Sequence, residues 1–478
     1  MRRRNPSFPP LGSFARGAAR ASARLLACGG VVVALSMCVA VSEARAIPAF
    51  ARKYRTTCSS CHTAAPKLNA VGEAFRLHGY RLPQFDEAAA RDRTLPLGDD
   101  AWKDLWPRGI WPGEITATAP ISLRIQADVV ANSAGRAPEG VHFKLPHEIY
   151  ILGGASLGEG IAAFAAMGLS PGESLEIVQA KLAFIDLIPS VGKGALNLWL
   201  GRLNPQLMGF ADRQVDRAGV FTFGWQSELV GNQRRRRADG SAPLTSANSV
   251  RIGAPVSGFE VNGVLGARTH YGVGVAQGAG DTETDNNGRK DLYYKVRHKW
   301  GGLRLDGSWD VGGTPPLGGE GQAFDRTLIL EHFGYFGEEP GAAGVADRYR
   351  AFGVAARLVY DRLDLGVGTV SRRDEDPWGL GAAAELRSVF GRTEWMIWPW
   401  LFGSLKAEHF RTTSADARRL GFVRGGEDRL LLAPGVIALV RQNVRLVLEG
   451  ETYASQRSTR ESGLPRSASL IARLDVAF

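Results

Sequence analysis

The sequence predicts a small α-helical module followed by an antiparallel transmembrane β-barrel of about sixteen strands, porin-like in size. Three observations predict it. Residues 58–62 read Cys-Ser-Ser-Cys-His near the start of a 478-residue chain. From Glu114 onward, apolar residues recur at every second position, where before they recur at helical spacing. Beyond the leader, no stretch reaches the ~18 apolar residues that a spanning helix needs.

The first 46 residues read as a signal peptide. Arg2, Arg3, Arg4, Arg16, Arg20 and Arg24 make a basic start, Leu25 to Ser42 is apolar, and Ala44-Arg45-Ala46 is a small-x-small cleavage signature. Cleavage is expected before Ile47. Most of the formal charge of +10 leaves with these arginines, so the pI near 9.6 advertises export and carries no sign of a nucleic-acid partner. Cys28 precedes the apolar run, the wrong order for a lipoprotein.

Cleavage leaves Cys58 and Cys61 as the only thiols. Two cysteines without an H-x(3–5)-H partner do not make a structural zinc site, and a thioredoxin-like dithiol would need a βαβ context that is absent. C-x-x-C-H is the c-type haem attachment motif: two thiols reach the two vinyl groups of one porphyrin, and the adjoining imidazole, His62, becomes the proximal iron ligand. After it, Pro66 opens a helical pattern and Gly79 closes it. Leu68, Val71, Phe75 and His78 share one face of that helix, the face suited to a porphyrin. His78 is therefore a candidate second iron ligand, with a half-solvated histidine at a helix end as the alternative. Methionine, the other common ligand, first occurs in the mature chain at Met167.

Residues 81–113 form a linker rich in Pro, Asp and Arg. Its Trp102, Trp106 and Trp111 suit a membrane interface or the surface of a folded module. The barrel is expected over 114–478. Period-two segments include "EITATAPISLRIQADVVA", "YGVGVAQ", "DLYYKVRHKW", "LRLDGSWDV", "FGVAARLVY", "LDLGVGTV", "LLLAPGVIALV" and "VRLVLEGETY". Gly301-Gly302, Asp361-Arg362 and Gln442-Asn443 are expected tight links, against long polar loops elsewhere, the outer-membrane barrel pattern. "SLIARLDVAF" is expected to be the last strand, alternating through Leu470, Ala472, Leu474, Val476 and Phe478. Strand marking gives some eighteen candidates; the break at "GNQRRRRADGSAPL" favours sixteen, with Arg234–Arg237 in a solvated loop or against lipid phosphate.

The stretch "IPAFARKYRTTCSSCHTAAPKLNAVGEAFRLHGYRLP" resembles the fused outer-membrane monohaem cytochrome–porins, the outer-membrane iron oxidases of iron-oxidising bacteria. Phe50-Ala51-Arg52, Cys58, Cys61, His62, Pro66, Leu68, Gly72, Phe75, Gly79 and Tyr80 carry the likeness. The resemblance implies one covalent haem c in a module plugging a sixteen-stranded barrel. It also implies transfer of electrons from extracellular Fe(II), across the outer membrane of a Gram-negative cell, to a periplasmic c-type cytochrome or other carrier. The family tends to an aromatic at Ala65 and Val71 and to asparagine at His78, so His78 as a ligand rests on the helix reading alone. Two other functions are expected alternatives: a haem-plugged porin for solutes, and a periplasmic haem enzyme such as a peroxidase on a barrel anchor. Electron transfer needs no acid–base pair, and none stands out; Asp281, Glu283 and Asp285 are candidate oxygen ligands for a passing cation.

Overall fold

The computed structural model describes residues 49–54, 56–82, 94–96, 114–116, 121–133, 139–156, 160–172, 175–208, 254–278, 288–308, 325–340, 345–414, 428–456 and 468–478. Four expectations lie outside them: Trp102, Trp106 and Trp111, the Arg234–Arg237 run, the Asp281–Asp285 acids and the signal peptide.

Sixteen antiparallel strands close into one barrel, the number the sequence favoured. In chain order they are β5 (Ile121–Asn132), β6 (Gly140–Ser156), β7 (Ile161–Leu169), β8 (Glu176–Phe184), β9 (Asn197–Leu203), β10 (Val256–Leu265), β11 (Thr269–Ala276), β12 (Asp291–Gly301), β13 (Thr327–Pro340), β14 (Ala346–Tyr360), β15 (Leu363–Asp374), β16 (Ala384–Trp398), β17 (Leu401–Ser414), β18 (Asp428–Arg441), β19 (Val444–Gln456) and β20 (Ala468–Ala477). Each pairs with its neighbours in sequence, and β20 closes on β5. The connections at one end include pairs of residues at 361–362, 399–400 and 442–443, and the two ends of the barrel sheet, Ile121 and Ala477, lie there too. The opposite end carries longer connections, among them 204–255, 277–290 and 415–427.

Alternation sorts the strands' side chains to two faces. Val354, Val367, Val389, Leu405 and Val436 point outward and are exposed. Lys406, Glu408, Arg445, Glu449, Arg473 and Asp475 point into the lumen and are buried. A closed sheet with no free edge and an apolar exterior satisfies every backbone group without water, and this is the construction of a Gram-negative outer-membrane barrel. Tyr360, Trp395, Trp398 and Trp400 are exposed at the short-turn end, where a barrel carries its aromatic girdle. Paired charges inside hold the β20–β5 seam: Arg473 donates to both Asp128 oxygens at 2.7 and 2.8 Å, and Arg124 to both Asp475 oxygens at 2.9 and 2.6 Å.

Three local expectations are corrected. The first described strand of the barrel begins at Ile121. Glu114–Thr116 (β4) pairs instead with Thr94–Pro96 (β3) in a separate two-stranded sheet. The described part of "LRLDGSWDV", residues 303–308, is bend and turn and not a barrel strand, and Gly301-Gly302 is no hairpin link, since β13 follows only at Thr327. The alternation of Leu303 and Leu305 has another cause, because both are buried in a turn and Leu305 packs on Leu77. The N-terminal module is only partly helical, consisting of helix α1 (Ala49–Lys53), a 3₁₀ turn (Cys58–Ser60), a ribbon of β1 (His62–Ala64) and β2 (Lys67–Leu68), and helix α2 (Ala70–Leu77). Pro66 lies between the ribbon strands, and Asn69 caps α2 by accepting from the Gly72 amide at 3.0 Å. Gly79, at φ +67°, closes α2 as expected, with the Gly79 and Tyr80 amides donating back to Arg76 and Phe75.

Asp128→Ala would leave the buried Arg473 guanidinium without its bidentate partner, a change worth about 3–5 kcal/mol. The temperature at which the unboiled barrel loses its compact electrophoretic migration should fall; an unchanged temperature would show that this pair does not hold the seam.

Candidate functional site: a cysteine–histidine loop inside the barrel

Cys58, Cys61 and His62 lie on one continuous turn. The Cys61 amide donates to the Cys58 carbonyl at 3.2 Å, closing the 3₁₀ turn, and His62 follows as the first residue of β1. Asn69 ties this turn to α2. Its amide nitrogen donates to the Ser59 and Ser60 carbonyls at 3.0 and 3.2 Å, while its oxygen caps the helix. Helix and loop touch so closely that a Cβ on Gly72 would stand 2.1 Å from the Cys61 carbonyl oxygen, so only glycine fits there. Asn69 escaped sequence reasoning; its one signal was an N-cap residue ahead of a short apolar-periodic run.

Both cysteines are free thiols and half-buried. Burial pushes Cys58 up, and it pushes Cys61 up to about 11 with the neighbouring Cys58 adding to the effect, so both remain protonated at neutral pH. Burial lowers His62 to about 4 against the opposing effect of the hydrogen bonds it donates to the Pro66 and Lys67 backbone carbonyls, and Arg124 on the barrel wall lowers it further. The imidazole is therefore neutral, the form that ligates iron. Two reduced thiols, a neutral half-buried imidazole in the next position and a helix held against the loop fit covalent haem c.

The walls of the barrel hold this module around its circumference. The Ala49 amide donates to Ser122 Oγ at 2.7 Å, Arg52 to the Ile121 carbonyl at 2.6 Å and Arg81 to the Ile161 carbonyl at 2.9 Å. Tyr80 stacks between Phe50 of the module and Phe164 of β7, at centroid distances of 5.4 and 4.6 Å. The Lys181 ammonium lies 5.1 Å from the Tyr80 ring and 3.7 Å from that of Trp199. Lys67 is buried in ion pairs with both Asp364 of β15 and Glu394 of β16. Glu73 pairs with Arg297 of β12, which also holds Glu331 at 2.5 Å. Ala64 packs with Met396, Phe402, Ile437 and Val447, and Leu77 with Val264 and Leu305. Most of these contacts fall at the short-turn end, near Ile121, Ile161, Val264 and Leu439.

His78 caps the C-terminus of α2. Its Nδ1 lies 2.8 Å from the Ala74 carbonyl, and its Nε2 faces the β8–β9 connection, 2.6 Å from where a Cβ on Gly194 would stand. Burial lowers its pKa, with Asp306 and Asp186 opposing. The expected porphyrin face of α2 is divided between neighbours: Phe75 packs edge-on against Phe50 and Tyr54 at 5.1 and 5.7 Å, and it is Gly72 that meets the cysteine loop. Among the described residues no three His, Cys, Asp or Glu side chains converge as metal ligands.

No family model matches the sequence, and no curated protein does. Solved structures with similar barrels include the OmpT loop-L8 deletion mutant from Vibrio cholerae (8% identity, 76% of this chain and 99% of that one, TM-score 0.48) and an anion-selective porin from Comamonas acidovorans (11%, 76% and 99%, 0.48). A third is the outer-membrane channel DcaP of Acinetobacter baumannii (12%, 75% and 96%, 0.46).

Lys67→Met would remove the cation that Asp364 and Glu394 share, and although Arg357 still holds Asp364 at 2.8 and 2.9 Å, the module would lose its ion pairs to β15 and β16. Protease access to the Cys58–His62 loop in the folded protein should rise sharply; a loop as protected as in the wild type would show that the clamp is idle. Burial alone would raise the Glu73 carboxyl, but Arg297 and Arg76 outweigh it and hold the group below its ordinary 4.5. Its contribution is whole above that value and is lost as pH falls toward the depressed one. Protection of the loop should therefore weaken on acidification below about 4.5, and Glu73→Gln should flatten that part of the profile.

Proposed function

We propose that this chain is an outer-membrane monohaem c-type cytochrome fused to a porin-like barrel, and that it carries electrons from extracellular Fe(II) to a periplasmic carrier. The observation that supports this reading most is the seating of the Cys58–His62 loop within the lumen, held to the wall by buried ion pairs. Short turns of such barrels face the periplasm. The loop therefore lies toward the side where a soluble carrier would dock, inside a sheath that lipid cannot enter.

Cys58 and Cys61 would form the thioethers, and the lone pair of the neutral His62 ring would bind the iron. The haem supplies one-electron exchange at a potential set by its axial ligands and burial. The chain's own residues set that environment: Gly72 and Asn69 hold the loop against α2, Arg124 places a positive charge near His62, and the barrel wall excludes lipid. His78 would be the candidate second ligand to such a haem, and to serve as one its ring would have to leave the contacts with Ala74 and Gly194.

Fe(II) added outside intact cells should reduce the haem within the dead time of a spectrometer, and Cys61→Ala should abolish both the signal and haem staining. An oxidised band unmoved by every reductant confined outside would overturn the conduit. A large solute-selective current in planar bilayers would favour the porin, and peroxide turnover at a five-coordinate iron the anchored enzyme. His78→Ala should change the low-spin spectrum; an unchanged spectrum removes His78 from the iron.

A further inference from the structure

The outer face of β14–β17 carries arginines in positions that barrel pairing makes unfavourable. Arg350 stands directly opposite Arg373, and Arg387 directly opposite Arg411, all four exposed on the outward face. Directly opposed like charges destabilise a sheet. Arg348, also exposed, lies one outward position beyond Arg350. The carboxylates bonded to this group are too few. Glu385 lies 3.2 Å from Arg373 and 3.6 Å from Arg387, while Glu338 is shared by Arg348 at 3.1 Å and Arg289 at 3.5 Å. Asp428, cross-strand from Arg411, is held by His409 at 2.8 Å. Among the described residues, no carboxylate pairs with Arg350 or Arg411.

The height of the belt is equally specific. Phe352 is the next outward residue below Arg350, and Val389 the next below Arg387; both are exposed apolar side chains. The arginines thus begin where the apolar band ends, at the long-loop end. That end faces outward from the cell. Guanidinium groups at head-group level, in excess over their carboxylates, match phosphate by charge and by bidentate geometry. We propose that this belt binds the phosphate groups of the outer-leaflet glycolipid, whose acyl chains cover Phe352 and Val389. The site is independent of the haem reading.

The test uses the full-length protein in neutral detergent, with the temperature of loss of compact migration as readout. Phosphorylated lipid A should raise that temperature, and its dephosphorylated form and inorganic phosphate should not. In the Arg350→Gln/Arg387→Gln double variant the temperature without lipid should be no lower than in the wild type, because two repulsive pairs are relieved. Its affinity for phosphorylated lipid A should fall on the order of fivefold per arginine removed. An equal rise with the dephosphorylated lipid, an equal rise with inorganic phosphate, or an undiminished response in the variant would each overturn the proposal. The three wild-type arms decide the matter even if the variant fails to fold.

Discussion

Within the apolar band, a sheet that closes in lipid can carry its charges only on the inside, and the rest of this structure depends on how they are arranged there. Many lumen-facing positions hold Arg–Asp, Arg–Glu and Lys–Glu pairs, such as Lys406 with Glu449 at 3.3 Å. Each buried pair is roughly neutral as a stabiliser but severe as a constraint, because removing one partner strands the other. The lumen therefore specifies what enters it. The N-terminal module presents Lys67 to two wall carboxylates and Glu73 to a wall arginine, so that the same groups that balance the wall also fix the module.

The module could not stand alone. Its described part, within residues 49–82, falls below the ~40 residues under which a chain usually needs staples to fold. Its buried side chains, among them Ala64, Phe75 and Leu77, are covered partly by one another and partly by the barrel. The barrel has the complementary need. A sixteen-stranded cylinder is wide enough for an aqueous channel, and here the module occupies the short-turn end of it. Farther along the lumen, Leu207 and Met208 join an apolar cluster with Phe333, Tyr349, Trp378 and Phe390.

The barrel was legible in the sequence wherever one face met lipid and the other met charge. In "SLIARLDVAF" the buried residues are Ser469, Arg473 and Asp475, and the alternate apolar positions face out. Reading failed where period two arose for another reason. Leu303 and Leu305 alternate because a turn buries both, a tertiary fact that no local pattern contains. Pro66 was a plausible helix start, yet the helix begins after Asn69, whose side chain caps it. The spacing of Cys58, Cys61 and His62 was plain. The residues that seat them were not, because Lys67 meets Asp364 and Glu394 across about three hundred residues. A lone lysine in a polar stretch carries no trace of partners so distant.

The two ends of the barrel are chemically unlike, and the difference bears on function. At the short-turn end the exposed side chains are Trp395, Trp398, Trp400 and Tyr360, and the lumen is filled by the cysteine–histidine loop and its clamps. At the long-loop end the outer face of β14–β17 turns basic. A barrel with the same girdle at both rims would seat equally well either way up. Here an aromatic cluster at one rim and an arginine belt on β14–β17 near the other distinguish the two leaflets, so the loop is held on one side of the membrane. For the one-electron centre proposed above, that asymmetry would matter more than pore width. The rate of exchange with a soluble carrier depends on which water phase lies nearest, and the position of the loop along the barrel determines that.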